Sequence, residues 1–396
     1  MVSKEMLALG KKSSVIREIF EYAKVRRAEI GAENVFDFSL GNPSIPAPAV
    51  VGETMQQLLA ETDPILLHGY TSAPGDMGVR KTIAAHIQER FRLEANPNLI
   101  YMTCGAAASL TVSLKAICSA GDEVVLLAPF FPEYQVFVRN ADAVPVIVPG
   151  RVGTLDIDFN ALSAAISEKT RAVIVNSPNN PSGVVLAADC IRHLAALLTE
   201  KSAQYGRPIT IIADEPYREL VYGGVEVPYI PSYYDNTLVC YSYSKSLSLP
   251  GERIGYIFVT PTMQGASDVF AAICGAGRSL GFVCAPSLLQ LTVGACDGTP
   301  PDLTAYDANR TLLYDSLTDI GYEAVRPDGA FYLFVKALEE DANAFCERAK
   351  KYELLLVPSD DFGVTGYVRI AYCVSHDQIR RSLPAFEALY KEYTRG

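Results

Sequence analysis

Between residues 99 and 260 the chain repeats one pattern. Short β-rich runs at 100–103, 124–127, 144–148, 172–175, 209–213, 238–241 and 256–259 alternate with stretches of helical spacing. That alternation predicts an α/β fold, because parallel strands need a crossover between them and a helix supplies it. Several runs are apolar along their length, as in Ile209-Thr210-Ile211-Ile212-Ala213, which suits strands covered on both faces. A mostly parallel central sheet flanked by helices is expected, with helices near 106–118, 187–198 and 262–273, where apolar residues recur three and four apart.

The last hundred residues change character. A long helical stretch at 303–317, an apolar run at 330–335, a further helix and a strand-like segment at 366–371 predict a smaller α+β lobe. Near the amino end, Ser14 is placed to cap a helix in which Val15, Ile16, Ile19, Phe20 and Ala23 share one face, expected to pack on the carboxy-terminal lobe. The division is a large domain over 45–298, a small domain from 14–44 and 299–396, and an arm over 1–13. No repeat or Gly/Ser linker separates them, so the boundary is a hinge within packed structure.

Composition limits the partners. The 396 residues are 49% apolar, which supports more than one core. A net charge of −11 argues against nucleic acid or an anionic membrane surface, since either favours a basic patch. Nine cysteines show no Cys-x-x-Cys pair and read as reduced thiols. With no signal sequence and no apolar run long enough to span a bilayer, a soluble cytoplasmic protein is expected. The four histidines lack metal-ligand spacing, and no metal site is expected.

Chemistry concentrates in Ser242-Tyr243-Ser244-Lys245 and in Pro250-Gly251-Glu252-Arg253 just beyond it. A lysine ammonium is a poor nucleophile, so forming an imine requires neighbours that lower its pKa. Ser242, Ser244 and Arg253 are donors of the kind a phosphate dianion gathers, so the run suits an aldehyde cofactor carrying a phosphate. Other candidates follow strands, where the loops of an α/β sheet build a site. Asp214 stands directly after 209–213, as a site carboxylate or as the cap of a following helix. Gly105 precedes Ala106 and Ala107 at a helix start, whose free N–H groups suit an anion. Asn180 sits in a turn-forming Asn-Pro-Ser-Gly segment. Arg369 interrupts an apolar run, a costly position unless the charge is paired or faces outward from an edge strand.

In this order, from about residue 36 to 372, the segments resemble the class I and II aminotransferases, fold type I enzymes that use pyridoxal 5'-phosphate (PLP). The resemblance implies that Lys245 holds the cofactor as a Schiff base and then shuttles a proton. It gives Asp214 to the pyridine nitrogen and Asn180 and Tyr217 to the cofactor phenolate. Phe131, in Phe130-Phe131-Pro132-Glu133-Tyr134, would lie on the ring, although a phenylalanine there also reads as core. Gly105, Ala106 and Ala107 would cradle the phosphate with Ser242, Ser244 and Arg253. Many relatives have polar side chains at the two alanine positions, so here the helix offers its backbone alone. Arg369 would fork the substrate α-carboxylate, a geometry lysine cannot reproduce. Gly41 belongs to a loop that closes over substrate. Tyr70 would reach the phosphate of a neighbouring subunit, which implies a homodimer, unless it is a plain loop aromatic.

The expected function is PLP-dependent transfer of an amino group between an amino acid and a 2-oxo acid. A C–S β-lyase would use the same lysine, aspartate and arginine, and a non-catalytic PLP-binding regulator is the reading of another class; retention of Lys245 and Asp214 favours catalysis. Substrate choice stays open. Arg278 is the one candidate for a distal carboxylate, while Tyr70, Phe130, Phe131 and Phe282 equally allow an aromatic or aliphatic side chain.

Overall fold

The structure is a computed structural model and describes residues 2–11, 14–151 and 153–394. A short strand, β1 (Phe36–Asp37), precedes the large sheet. That sheet contains β2 (Ile100–Thr103), β3 (Glu123–Leu127), β4 (Val144–Val148), β5 (Thr170–Asn176), β6 (Thr210–Asp214), β7 (Thr237–Ser242) and β8 (Gly255–Val259). The small lobe adds β9 (Ala324–Val325), β10 (Tyr332–Lys336), β11 (Leu354–Leu355), β12 (Val357–Pro358) and β13 (Tyr367–Ala371). Each strand expected between 99 and 260 is present.

The large sheet runs β2-β8-β7-β6-β5-β3-β4, and β8 alone is antiparallel to its neighbours. Alternate residues of one strand enter opposite cores. In β6, Ile211 and Ala213 join one core and Ile212 the other, which is why this run had to be apolar throughout. Burying each such aliphatic side chain stabilises the fold by about 1.5–3 kcal/mol. Only the edge strand β4 departs, leaving Val144 and Ile147 exposed.

Helix limits follow local backbone chemistry. The expected helix at 187–198 is Ala188–Tyr205, and it stops at Gly206, which takes the left-handed φ of 68°. The one expected at 262–273 is Ala266–Ser279, entered through Gly265. Ser14 caps Val15–Ile30 by accepting from the Arg17 N–H. That helix buries Ile19 and Ala23 with Val35, Leu355, Val357 and Phe362, as expected for packing on the carboxy-terminal lobe.

The small lobe has sheet order β12-β13-β10-β9, and β1 pairs with β11 in parallel. Sequence reasoning gave no sign of β1, β11 and β12, because a two-residue strand has no periodicity to read. They nevertheless tie the amino-terminal segment to this lobe. Strand β13 lies between β12 and β10, so Arg369 is on an interior strand and not on an edge.

Candidate active site

Parallel neighbours bring the candidate residues together. Asn176, the last residue of β5, is in register with Asp214, the last of β6, and β7 then leads directly into the four-residue helix Tyr243–Ser246 that carries Lys245. That helix is anchored on its far side. Tyr243 donates to Asp297 at 2.8 Å, and Tyr241 donates to Ser246 at 2.9 Å. Lys245 consequently projects into a cavity of about 540 Å³ between the two lobes, lined also by Ala106, Ala107, Phe131, Asn180, Asp214, Tyr217 and Arg369.

The Lys245 amine donates to the Gly41 carbonyl at 2.6 Å and lies 5.1 Å from the centre of the Phe331 ring. Burial lowers its pKa to about 8; Cys373 opposes the shift, and Arg253 and Arg369 add to it. Gly41 has no room for a side chain, since a Cβ would stand 1.9 Å from the Tyr332 hydroxyl. Tyr332 in turn shares a 3.0 Å hydrogen bond with Tyr217.

Asp214 is buried. No helix begins there for it to cap. Burial raises its pKa to about 7, against the lowering effect of the hydrogen bond donated by Tyr134. Its Oδ2 takes that bond and Oδ1 has no partner. Asn176 braces the same corner: its amide donates to the Asp214 carbonyl at 2.9 Å and its oxygen accepts from the Asn180 N–H at 2.7 Å.

Arg369 is 2% exposed. It donates to the Asn180 side chain at 3.2 Å and to the Ser39 carbonyl, and its guanidinium lies 4.6 Å from the Tyr332 ring centre and 5.3 Å from that of Phe362. Its Nε is buried without a partner. A buried unpaired donor on a cation is costly, so the arrangement suits an incoming carboxylate.

Ala106, Ala107, Ser242, Ser244 and Arg253, residues expected at a phosphate, line the same cavity. Gly105 enters the helix Ala106–Ile117 at φ 84° without a side-chain cap, leaving backbone N–H groups free. A Cβ on Gly105 would approach Arg253 Nη2 to 2.9 Å, so the glycine lets the guanidinium sit beside the helix end. Arg253 donates to Ser244 at 3.4 Å, and Ser244 and Ser242 share a 2.8 Å hydrogen bond.

These features fit PLP. The unpartnered Asp214 oxygen suits a protonated ring nitrogen, the Ser242, Ser244 and Arg253 donors suit a phosphate, and the Lys245 amine of lowered basicity lines the same cavity. Phe131 reaches the cavity, in edge contact with Tyr134, whereas Phe130 is buried in the core below. Tyr70 is 99% exposed and Arg278 is exposed on the last turn of its helix; neither lines the cavity of the single chain, nor does Phe282. Sequence reasoning assigned no role to Tyr134, Asn176 or Tyr332. The strand-end logic that found Asp214 applies equally to Asn176, whereas the two tyrosines lie in apolar surroundings that read as core.

The family model for class I and II aminotransferases matches residues 33–386. An amino transferase from Eubacterium rectale is similar in structure with a TM-score of 0.98 and 54% identity, over 99% of both chains. Aspartate aminotransferase from Thermotoga maritima superposes with a TM-score of 0.87 at 26% identity, over 98% of this chain and 99% of that one. The aromatic-amino-acid aminotransferase 2 of Thermococcus litoralis is 26% identical over 390 residues, 96% of each chain. The lyase and regulator readings are not favoured by these relatives. The fold, the site and these likenesses agree: the chain belongs to the class I and II aminotransferases and is a PLP-dependent aminotransferase.

Proposed function

We propose that the cavity around Lys245 is the aminotransferase site and that its residues divide the work as follows. Lys245 Nζ would hold the aldehyde carbon of the cofactor. Asp214 would pair with the ring nitrogen, Asn180 and Tyr217 with the phenolate, Phe131 with the ring face, and Gly105, Ala106, Ala107, Ser242, Ser244 and Arg253 with the phosphate. When bound, PLP supplies an electron sink that makes the substrate Cα–H acidic. Arg369 binds the α-carboxylate, with Asn180 beside it, and Gly41 fixes the loop against the lysine. The free Lys245 Nζ would take the substrate Cα proton as a general base. Tyr134 holds one Asp214 oxygen and leaves the other for the ring.

The observation that carries this reading is the unpartnered oxygen of buried Asp214 in the same cavity as an amine whose pKa is lowered to about 8. The full exposure of Tyr70 supports a homodimer in which that tyrosine serves the partner's site. The clustering of 14–44 with the carboxy-terminal lobe supports the two-domain division, with 45–298 as the large domain. Nine free cysteines suit a reducing cytoplasm.

Mixing the loaded enzyme with single amino acids tests the reading. Change of the cofactor absorbance with one equivalent of 2-oxo acid supports it; ammonia and pyruvate from a cysteine conjugate would indicate the lyase instead.

A further inference from the structure

On the reading of Lys245 as the cofactor lysine, we infer that Tyr243 and Asp297 are positioning residues for it, holding the short helix that carries the amine from the side turned away from the cofactor cavity. That helix is one turn long, Tyr243–Ser246, and a single turn fixes more backbone freedom than its hydrogen bonds return. The chain leaves it through Ser248 at φ 53°, a left-handed conformation that a serine seldom adopts unless its surroundings impose it. Local sequence therefore does not fix the amine. Attack on an aldehyde carbon needs the nitrogen aimed within a narrow range, so contacts from elsewhere in the fold must aim it.

Ser244 and Lys245 line the cavity between the lobes, whereas Tyr243 and Ser246 line a second one of about 360 Å³. There the buried Tyr243 donates to Asp297 Oδ1 at 2.8 Å, and Asp297 Oδ2 shares a 2.9 Å hydrogen bond with His86 Nδ1. Each carboxylate oxygen thus has a partner. The Asp297 side chain is 6% exposed, and a carboxylate is a stronger acceptor than a neutral group. Asp297 ends the helix Ser287–Cys296, so Tyr243 is tied to an element distant in sequence. A Cβ on the neighbouring Gly298, at φ 83°, would stand 3.3 Å from the His86 ring, and the glycine leaves that ring its place. The other end of the short helix is held as well. Tyr241 is hydrogen-bonded to Ser246 at 2.9 Å and to Glu219 at 3.0 Å, and Arg90 donates to Glu219 at 2.8 Å. The Tyr241 and Tyr243 rings meet edge to face at 5.1 Å, which joins the two chains of contacts. Every one of these contacts is made within a single chain.

Tyr243→Phe provides the test, because it keeps the ring and removes only the hydroxyl. The rate at which cofactor-free protein captures PLP, read by stopped-flow absorbance, should fall roughly ten- to a hundredfold, and kcat of the loaded enzyme should fall with KM nearly unchanged. Asp297→Ala should reproduce both losses. Asp297→Asn, which retains an acceptor oxygen for Tyr243, should recover most of them. Wild-type capture and kcat in Tyr243→Phe, whatever its melting temperature, would overturn the inference, since the contacts would then serve stability alone. Equal losses in Asp297→Asn and Asp297→Ala would also overturn it, by tracing the effect to the charge and not to the bond. Lys245→Ala separates the two levels: covalent capture of PLP by that variant would overturn the site reading and this inference with it, whereas no capture there beside an unimpaired Tyr243→Phe would remove this inference alone.

Discussion

Tyr134 donates a hydrogen bond to one oxygen of Asp214 and leaves the other oxygen of that buried carboxylate without a partner. The tyrosine thus orients the carboxylate, while burial raises its pKa to about 7. A cation at the open oxygen would stabilise the charged form. Asp214→Ala should lower turnover by roughly two to three orders of magnitude, the scale of a lost electrostatic contact in a desolvated site. Tyr217→Phe should cost less. Steady-state kinetics on the two variants check the order, and the reverse order would exchange their importance.

The same carboxylate makes stability depend on pH. Its folded pKa of about 7 lies above the unfolded value of about 4, so the folded state binds the extra proton between them. The cost of burying the charge is absent at low pH and grows as pH rises through this window, to a limit on the order of 3–4 kcal/mol. In the cofactor-free protein, Asp214→Asn should melt above the wild type at pH 8 and close to it at pH 4. Calorimetry at both values checks the sign.

Lys245 should capture PLP according to its lowered pKa. Burial of the amine favours the free base, so the rate of capture by cofactor-free enzyme should rise with pH through a midpoint near 8. Stopped-flow absorbance reads this directly. A midpoint near 10.5 would mean that the amine is solvated.

Arg369 should matter through its fork geometry. Arg369→Lys keeps the charge but loses the planar pair of donors, and kcat/KM should fall about a hundredfold or more, from a loss of about 3 kcal/mol. Tyr332→Phe keeps the ring under Arg369 and removes only the hydroxyl bonded to Tyr217. Its loss should be about tenfold or smaller, as for one hydrogen bond.

Tyr70 tests the proposal that two subunits share a site. Tyr70→Phe should weaken PLP binding several-fold without changing the circular dichroism spectrum. Sedimentation should give a dimer. If the variant binds PLP as the wild type does, the tyrosine is a loop aromatic only.

The large sheet was legible because burial on two faces leaves uninterrupted apolar runs such as the one ending at Asp214, and a parallel sheet puts its chemistry at such ends. The contacts that complete the site were not. Tyr134 reaches Asp214 across 80 residues of sequence and Tyr217 reaches Tyr332 across 115, pairings that neither run can express alone. The unassigned β1 and β11 likewise take their strand form from each other, far apart along the chain. The role expected of Tyr70 comes from the family resemblance alone, since one chain leaves it in solvent.

Borohydride reduction of the PLP-loaded enzyme followed by peptide mass spectrometry asks whether Lys245 carries the cofactor. The cofactor's mass should appear on the peptide containing Lys245, with no label or turnover in a folded Lys245→Ala protein. A label on another lysine, or an active Lys245→Ala enzyme that is still trapped by borohydride, would contradict it.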